Sequence, residues 1–181
     1  MKQLAFRFLP LFALLALLGA CSAPAVAVAD EEAGRGGGSP EQVVDSFVES
    51  LNLALRDPSL NDPNVRRTWS ERLASYFAPS ERVDQRTVFA GMLSRFATTA
   101  QQPFVGERVS LEIIYTRTEV IAQDERSAEV SLVDGTIELR WLDDSGNILR
   151  GRSSNLMDLI GGGRAGLPVL RVGNQWFLTE G

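Results

Sequence analysis

The chain contains no histidine, and its only lysine is Lys2. Without imidazole, a histidine base, a histidine metal ligand and a serine–histidine nucleophile pair are all excluded. Beyond residue 2 there is no lysine to form a Schiff base. Cysteine occurs once, at Cys21, so an intrachain disulfide is excluded as well. Positive charge is scarce: 18 Lys and Arg stand against 23 Asp and Glu, and the net charge is −5. No basic stripe is present to hold a phosphate backbone, so nucleic acid is not an expected partner. No serine-centred elbow, dinucleotide glycine pattern or paired CxxC occurs, and Gly36-Gly37-Gly38 lacks the following Lys-Ser/Thr of a phosphate loop. No cofactor is expected, and no residue stands out as catalytic.

What is present begins with a leader. Lys2 and Arg7 give a positive start, followed by an apolar run over residues 8–18 and then small residues. That is the order of a secretory signal. The run has 11 residues, too few for a membrane-spanning helix, which needs about 20. Leu18-Gly19-Ala20-Cys21 resembles the lipobox of bacterial lipoproteins. The resemblance implies cleavage before Cys21 and a diacylglyceryl group on its sulfur. Two acyl chains hold a protein stably at a bilayer where one is marginal. Ser22 rather than aspartate follows, which in a cell with two membranes implies the outer one. The expected residence is therefore outside the cytoplasm, lipid-anchored to a cell-envelope membrane.

Residues 1–20 thus read as signal peptide, 21–38 as lipidated cysteine and flexible tether, and 39–181 as one folded domain. The tether, SAPAVAVADEEAGRGGG over residues 22–38, is small, acidic and Gly-rich without periodicity. The domain opens sharply. Ser39-Pro40-Glu41-Gln42 is a capping box, and Val43, Val44, Phe47, Val48, Leu51 and Leu55 then share one helical face before Asp57-Pro58. Asp62-Pro63 opens a second helix predicted to carry Val65, Trp69, Leu73, Tyr76 and Phe77, stopped by Pro79. A third, from about residue 84 to 98, carries Val88, Phe89, Met92, Leu93 and Phe96.

From Arg108 the period becomes two. Val109, Leu111, Ile113 and Tyr115 alternate with polar residues, and a turn is predicted near Asp124-Glu125. In the next strand Ala128, Val130 and Leu132 face one way while Ile137, Leu139 and Trp141 have the opposite parity. A bulge at Asp134-Gly135 is predicted to correct the register. Asp143-Asp144-Ser145-Gly146-Asn147 reads as a turn, since its spacing lacks the regular oxygen ligands of a calcium loop. Residues 148–160 suit a strand with a short helical end. Residues 167–179 form a hairpin about Gly173-Asn174. The expected fold class is α+β, with three N-terminal helices packed on a curved, mostly antiparallel sheet.

The two ends of the domain, Pro40-Glu41-Gln42-Val43-Val44-Asp45-Ser46-Phe47 and Val172-Gly173-Asn174-Gln175-Trp176-Phe177-Leu178, resemble the nuclear transport factor 2-like (cystatin-like cone) superfamily. More narrowly, the chain is similar to small bacterial lipoproteins of unknown function that carry such a domain. The resemblance implies a cone of bent strands closed by helices, with a cavity at its wide end. Some members are isomerases or cyclases that use an acid, a tyrosine or a histidine inside the cavity, and many are binding modules.

Four polar-tipped aromatics, Trp69, Tyr76, Tyr115 and Trp141, are candidate cavity-lining residues, although packing is the simpler account of such residues. The fifth candidate is Asp158, set among Leu156, Met157, Leu159 and Ile160. An enclosed carboxylate there needs a partner such as Arg140 or Arg152. Asp45 and Glu49 lie one turn apart and are expected on the solvated side of the first helix. The leading expectation is a non-enzymatic domain that binds a small apolar ligand or another envelope protein, a second copy of itself included. The alternative is a cone-fold isomerase, dehydratase or cyclase using a carboxylate and a tyrosine.

Overall fold

In the computed structural model the described residues are 34–100, 106–156 and 165–181. Cys21, the leader and most of the expected tether lie outside them, as does Asp158.

The capping box forms as the sequence requires. Ser39 Oγ accepts from the Gln42 amide at 3.2 Å, and Gln42 Oε1 reaches back to the Gly38 amide at 2.8 Å. Helix α1 runs over Pro40–Arg56 and ends at Asp57. Its apolar stripe, from Val43 through Leu55, is buried. Helix α2 spans Pro63–Ala74, with the Asp62 carboxylate capping the Asn64 amide. It stops short of the predicted end. Tyr76 O accepts from Leu178 N, and Ala78 N donates to Leu178 O. Pairing with the last strand thus takes the backbone of residues 76–78 out of the helix. Helix α3 covers Arg82–Ala100, longer than expected at both ends, and packs mainly on α2. Its buried line is Gln85, Phe89, Leu93 and Ala97, whereas Val88, placed on that line by periodicity, is 54% exposed.

Among the described residues seven antiparallel strands follow: β1 (Arg108–Ile114), β2 (Arg117–Gln123), β3 (Ser127–Val133), β4 (Thr136–Leu142), β5 (Ile148–Asn155), β6 (Leu167–Val172) and β7 (Gln175–Leu178). They form a three-stranded sheet, β1-β4-β5, and a four-stranded sheet, β2-β3-β6-β7. The parity change in the sequence has its cause here. Ile114 faces Thr136 and Arg117 faces Val133, so one two-stranded ribbon carries its register from one sheet into the other. It bends at Tyr115-Thr116 on one strand and at Asp134-Gly135 on the other. The predicted bulge is therefore a corner. Asp134 adopts φ 56°, and a Cβ on Gly135 would sit 2.9 Å from the Leu132 carbonyl oxygen. A single long strand from Arg108 to the 124–127 turn does not form, because the same corner divides it into β1 and β2.

The fold is α+β, with the three helices packed on curved, open antiparallel sheets. Val43, Val44, Val48 and Leu51 of α1 share a core with Ile113, Val130, Leu132, Val169, Trp176 and Leu178. Each such Val or Leu, fully buried, contributes about 1.5–3 kcal/mol. Phe47 joins the helices through edge-on and tilted contacts with Tyr76, Phe77 and Phe89 at 5.8–6.0 Å.

The compact unit begins at Gly34, ahead of the expected boundary at residue 39. Gly37 exchanges two backbone hydrogen bonds of 2.8 Å with Trp176, along the outer edge of β7. A Cβ at Gly37 would lie 2.7 Å from the Val43 amide nitrogen. This glycine is required by close approach, where composition suggests slack chain. The free edge of β1 is capped differently: Asn52 donates to Ile113 O at 2.8 Å and accepts from Ile113 N at 2.9 Å, replacing a neighbouring strand.

Candidate functional site

The C-terminal end of α1 forms one side of a cleft of about 360 Å³. Leu55, Leu60 and Ala97 are buried beneath it, with Phe96 beside them. Val109, Ser110 and Leu142 supply the opposite side, and Arg56, Asp57, Asn61 and Arg108 lie on the rim. The volume is at the small end of the range of about 300–1,000 Å³ for small-molecule sites.

The turn that walls the cleft is pinned by its own sequence. Asp57 N donates to Ala54 O, and Asp57 Oδ1 accepts from Ser59 N at 2.8 Å. Asp57 Oδ2 accepts from Trp69 Nε1 at 2.7 Å. The Arg66 guanidinium binds the carbonyls of Leu60 and Asn61 at 2.9 and 2.7 Å. Trp69 itself lies under the Arg72 guanidinium, 5.1 Å from its ring centroid. Trp69 therefore supports the wall of the cleft without lining it.

The other candidates are dispersed. Tyr76 is 4% exposed, and its hydroxyl lies 2.8 Å from Ser50 Oγ. The pair satisfies two polar atoms that burial would otherwise leave costly. Trp141 lies on β4 opposite Arg150, whose guanidinium sits 4.8 Å from the ring centroid and binds both Glu107 oxygens. Trp176 is core, 5% exposed. Arg140, one expected partner for Asp158, binds Glu138 and, at 3.4 Å, Glu112. Arg56 binds the other Glu112 oxygen. Two arginines and two carboxylates thus neutralise one another between the end of α1 and strands β1 and β4.

Tyr115 makes a contact that overturns the expected solvation of Asp45. Its hydroxyl donates to Asp45 Oδ1 at 2.8 Å, while Thr118 Oγ1 donates to Asp45 Oδ2 at 3.1 Å. All three side chains are half-buried. Burial, the hydrogen bond to Asp45 and the negative charges of Asp45 and Glu49 push the Tyr115 phenol well above its ordinary value. The phenol is therefore a proton-holding donor, and the carboxylate has both oxygens engaged. Chemically the group resembles an acid–tyrosine pair, but it ties α1 to the bend of the ribbon and does not line the cleft.

No group of three or more metal-ligating side chains gathers among the described residues. Asp143 behaves as a turn residue, accepting from the Asn147 backbone and side-chain amides at 2.8 and 2.9 Å. These bonds hold its carboxyl below the usual range. No helix among the described residues is long and apolar enough to cross a membrane.

Sequence reasoning missed the cleft because its residues come from four separate elements. One signal was available: Asp57 follows Arg56 at a helix end and precedes proline, where a carboxylate organises a turn. Comparison with known protein families and with curated proteins finds no match to this chain.

Proposed function

We propose that this chain is an exported lipoprotein, anchored through acyl chains on Cys21, whose folded part is a non-enzymatic binding module. The resemblance of residues 18–21 to a lipobox supports the anchor. The observation that carries the binding reading is the pre-organised cleft beside α1. It has an apolar floor, a hydrogen-bonded wall and a polar rim, and a rigid site binds without the entropic cost of ordering itself. The nuclear transport factor 2-like affinity of the domain is part of the same proposal, supported by the sharply bent strands facing a helix.

Native mass spectrometry of the protein released from its own membrane tests the reading. The expected mass lacks residues 1–20, carries a diacylglyceryl group on Cys21 and retains a non-covalent ligand. A bare sulfur with the leader attached overturns the anchor.

A second reading, an isomerase- or cyclase-type enzyme, is favoured by one distance: the 2.8 Å between Tyr115 Oη and Asp45 Oδ1. The variant Asp45→Asn separates the two. A binding module loses stability and keeps its ligand unchanged, whereas an enzyme accumulates unconverted substrate.

A further inference from the structure

Resting on the binding reading above, we infer that the cleft at the end of α1 takes a short amphiphile with a single carboxylate, its chain over Leu55, Leu60 and Phe96 and its head on Arg108. Three observations converge on that class, and a fourth supplies its test.

The floor is apolar and already desolvated: Leu55, Leu60 and Ala97 are 7%, 5% and 5% exposed. A hydrocarbon segment laid there removes chiefly its own apolar surface from water, at about 25 cal/mol per Å². The volume of about 360 Å³ limits that segment to a short chain.

The floor rejects a bare anion. Leu55 and Arg56 end α1, and Phe96 and Ala97 lie in the closing turns of α3. Two helix C-termini therefore present their negative dipole ends to the cleft. A negative head must stay at the rim, with an apolar body inward.

The rim offers one cation for it. Arg56 is engaged by Glu112. The exposed guanidinium of Arg108 has no hydrogen bond or ion pair among the described residues. Its planar fork suits a carboxylate in two-point contact.

The mouth also has a removable side. The Asn61 side chain is exposed, and only its backbone carbonyl holds Arg66. A bulky residue there obstructs the cleft without disturbing the pinned turn.

The full chain is titrated with octanoate below its micelle concentration, and with octan-1-ol as the head-group control, by calorimetry and by amide shifts. The expected result is saturable octanoate binding with shifts on residues 55–61, 96–97 and 108–110. Arg108→Gln weakens it about tenfold, the size of one charged hydrogen-bond contact. Asn61→Trp abolishes it with an unchanged thermal midpoint, and octan-1-ol binds no better than octanoate binds to Arg108→Gln. The inference is overturned if octanoate does not bind, if Asn61→Trp binds as before, or if octan-1-ol matches octanoate and Arg108→Gln has no effect. Failure of octanoate while native mass spectrometry still finds another ligand sinks this inference and leaves the binding module standing. Chemical conversion of the bound ligand sinks both.

Discussion

The two sheets share one bent ribbon and differ in how deeply their central strands are buried. In the four-stranded sheet, Val130, Val169 and Leu178 are 0–3% exposed under α1. The outer edge of β7 is covered by Gly37 and by residues 76–78. In the three-stranded sheet, β4 is half-buried throughout, and Ile148 and Leu149 of β5 are 60% and 53% exposed. The first sheet is the scaffold that gives α1 its seat. The second meets α1 through β1, where Ile113 joins the core, and carries arginines and carboxylates along β4 and β5, which extend past it. Arg150 and Arg152 on β5 are the kind of charges that discourage edge-to-edge pairing.

The largest expected effect breaks the scaffold. Leu178→Ala should cost about 2–5 kcal/mol by denaturant titration, while Leu149→Ala should stay within about 0.5 kcal/mol. Equal costs would mean that a partner covers β5 and that the contrast between the sheets is false.

Next is the junction of the two. Asn52→Leu removes both side-chain bonds to Ile113 and leaves a strand edge without its cap, at about 1–3 kcal/mol. Hydrogen exchange should speed up at Ile113 while β6 and β7 remain protected. Loss of protection in both sheets would show that they unfold as one.

Tyr115→Phe should cost about 1 kcal/mol, the net value of one hydrogen bond. Its pH dependence has a definite sign. The folded state raises the phenol above its ordinary value of 10.0, so it binds a proton more tightly than the unfolded chain. That stabilisation is complete below pH 10.0 and is lost as pH climbs through the raised value. The wild type should therefore lose stability more steeply in alkali than Tyr115→Phe does. Parallel slopes would remove the Asp45 tie.

The smallest effect belongs to the half-buried charge ladder on β1 and β4. Arg140 is 31% and Glu112 23% exposed. Arg140→Gln should cost about 0.2–1 kcal/mol, and raising the salt concentration should shrink the difference. A larger, salt-independent loss would show that this sheet is more enclosed than it appears from exposure alone.

Local chemistry made much of the fold legible. The capping box at Ser39 and the hairpin about Gly173-Asn174 appear where their residues require them, because each is decided within a few positions. The α+β order follows from the change of hydrophobic period at Arg108. The candidate sites were far less legible. Asp45 and Tyr115 lie 70 residues apart, and nothing local distinguishes Asp45 from a solvated helix carboxylate. Tyr76 reads as helix because its spacing fits one, yet pairing with Leu178 of the last strand takes its backbone.

By itself the sequence determined which segments are helix and strand, where most of them begin, and that imidazole chemistry is out of reach. These follow from propensity, capping and composition, which act over a few residues. Only the tertiary structure decided that the parity change is a corner between two sheets, that Gly37 is packed chain and that a cleft opens beside α1. Each of these depends on which distant backbone arrives at a given spot, and burial and pairing at that spot outweigh the local preference.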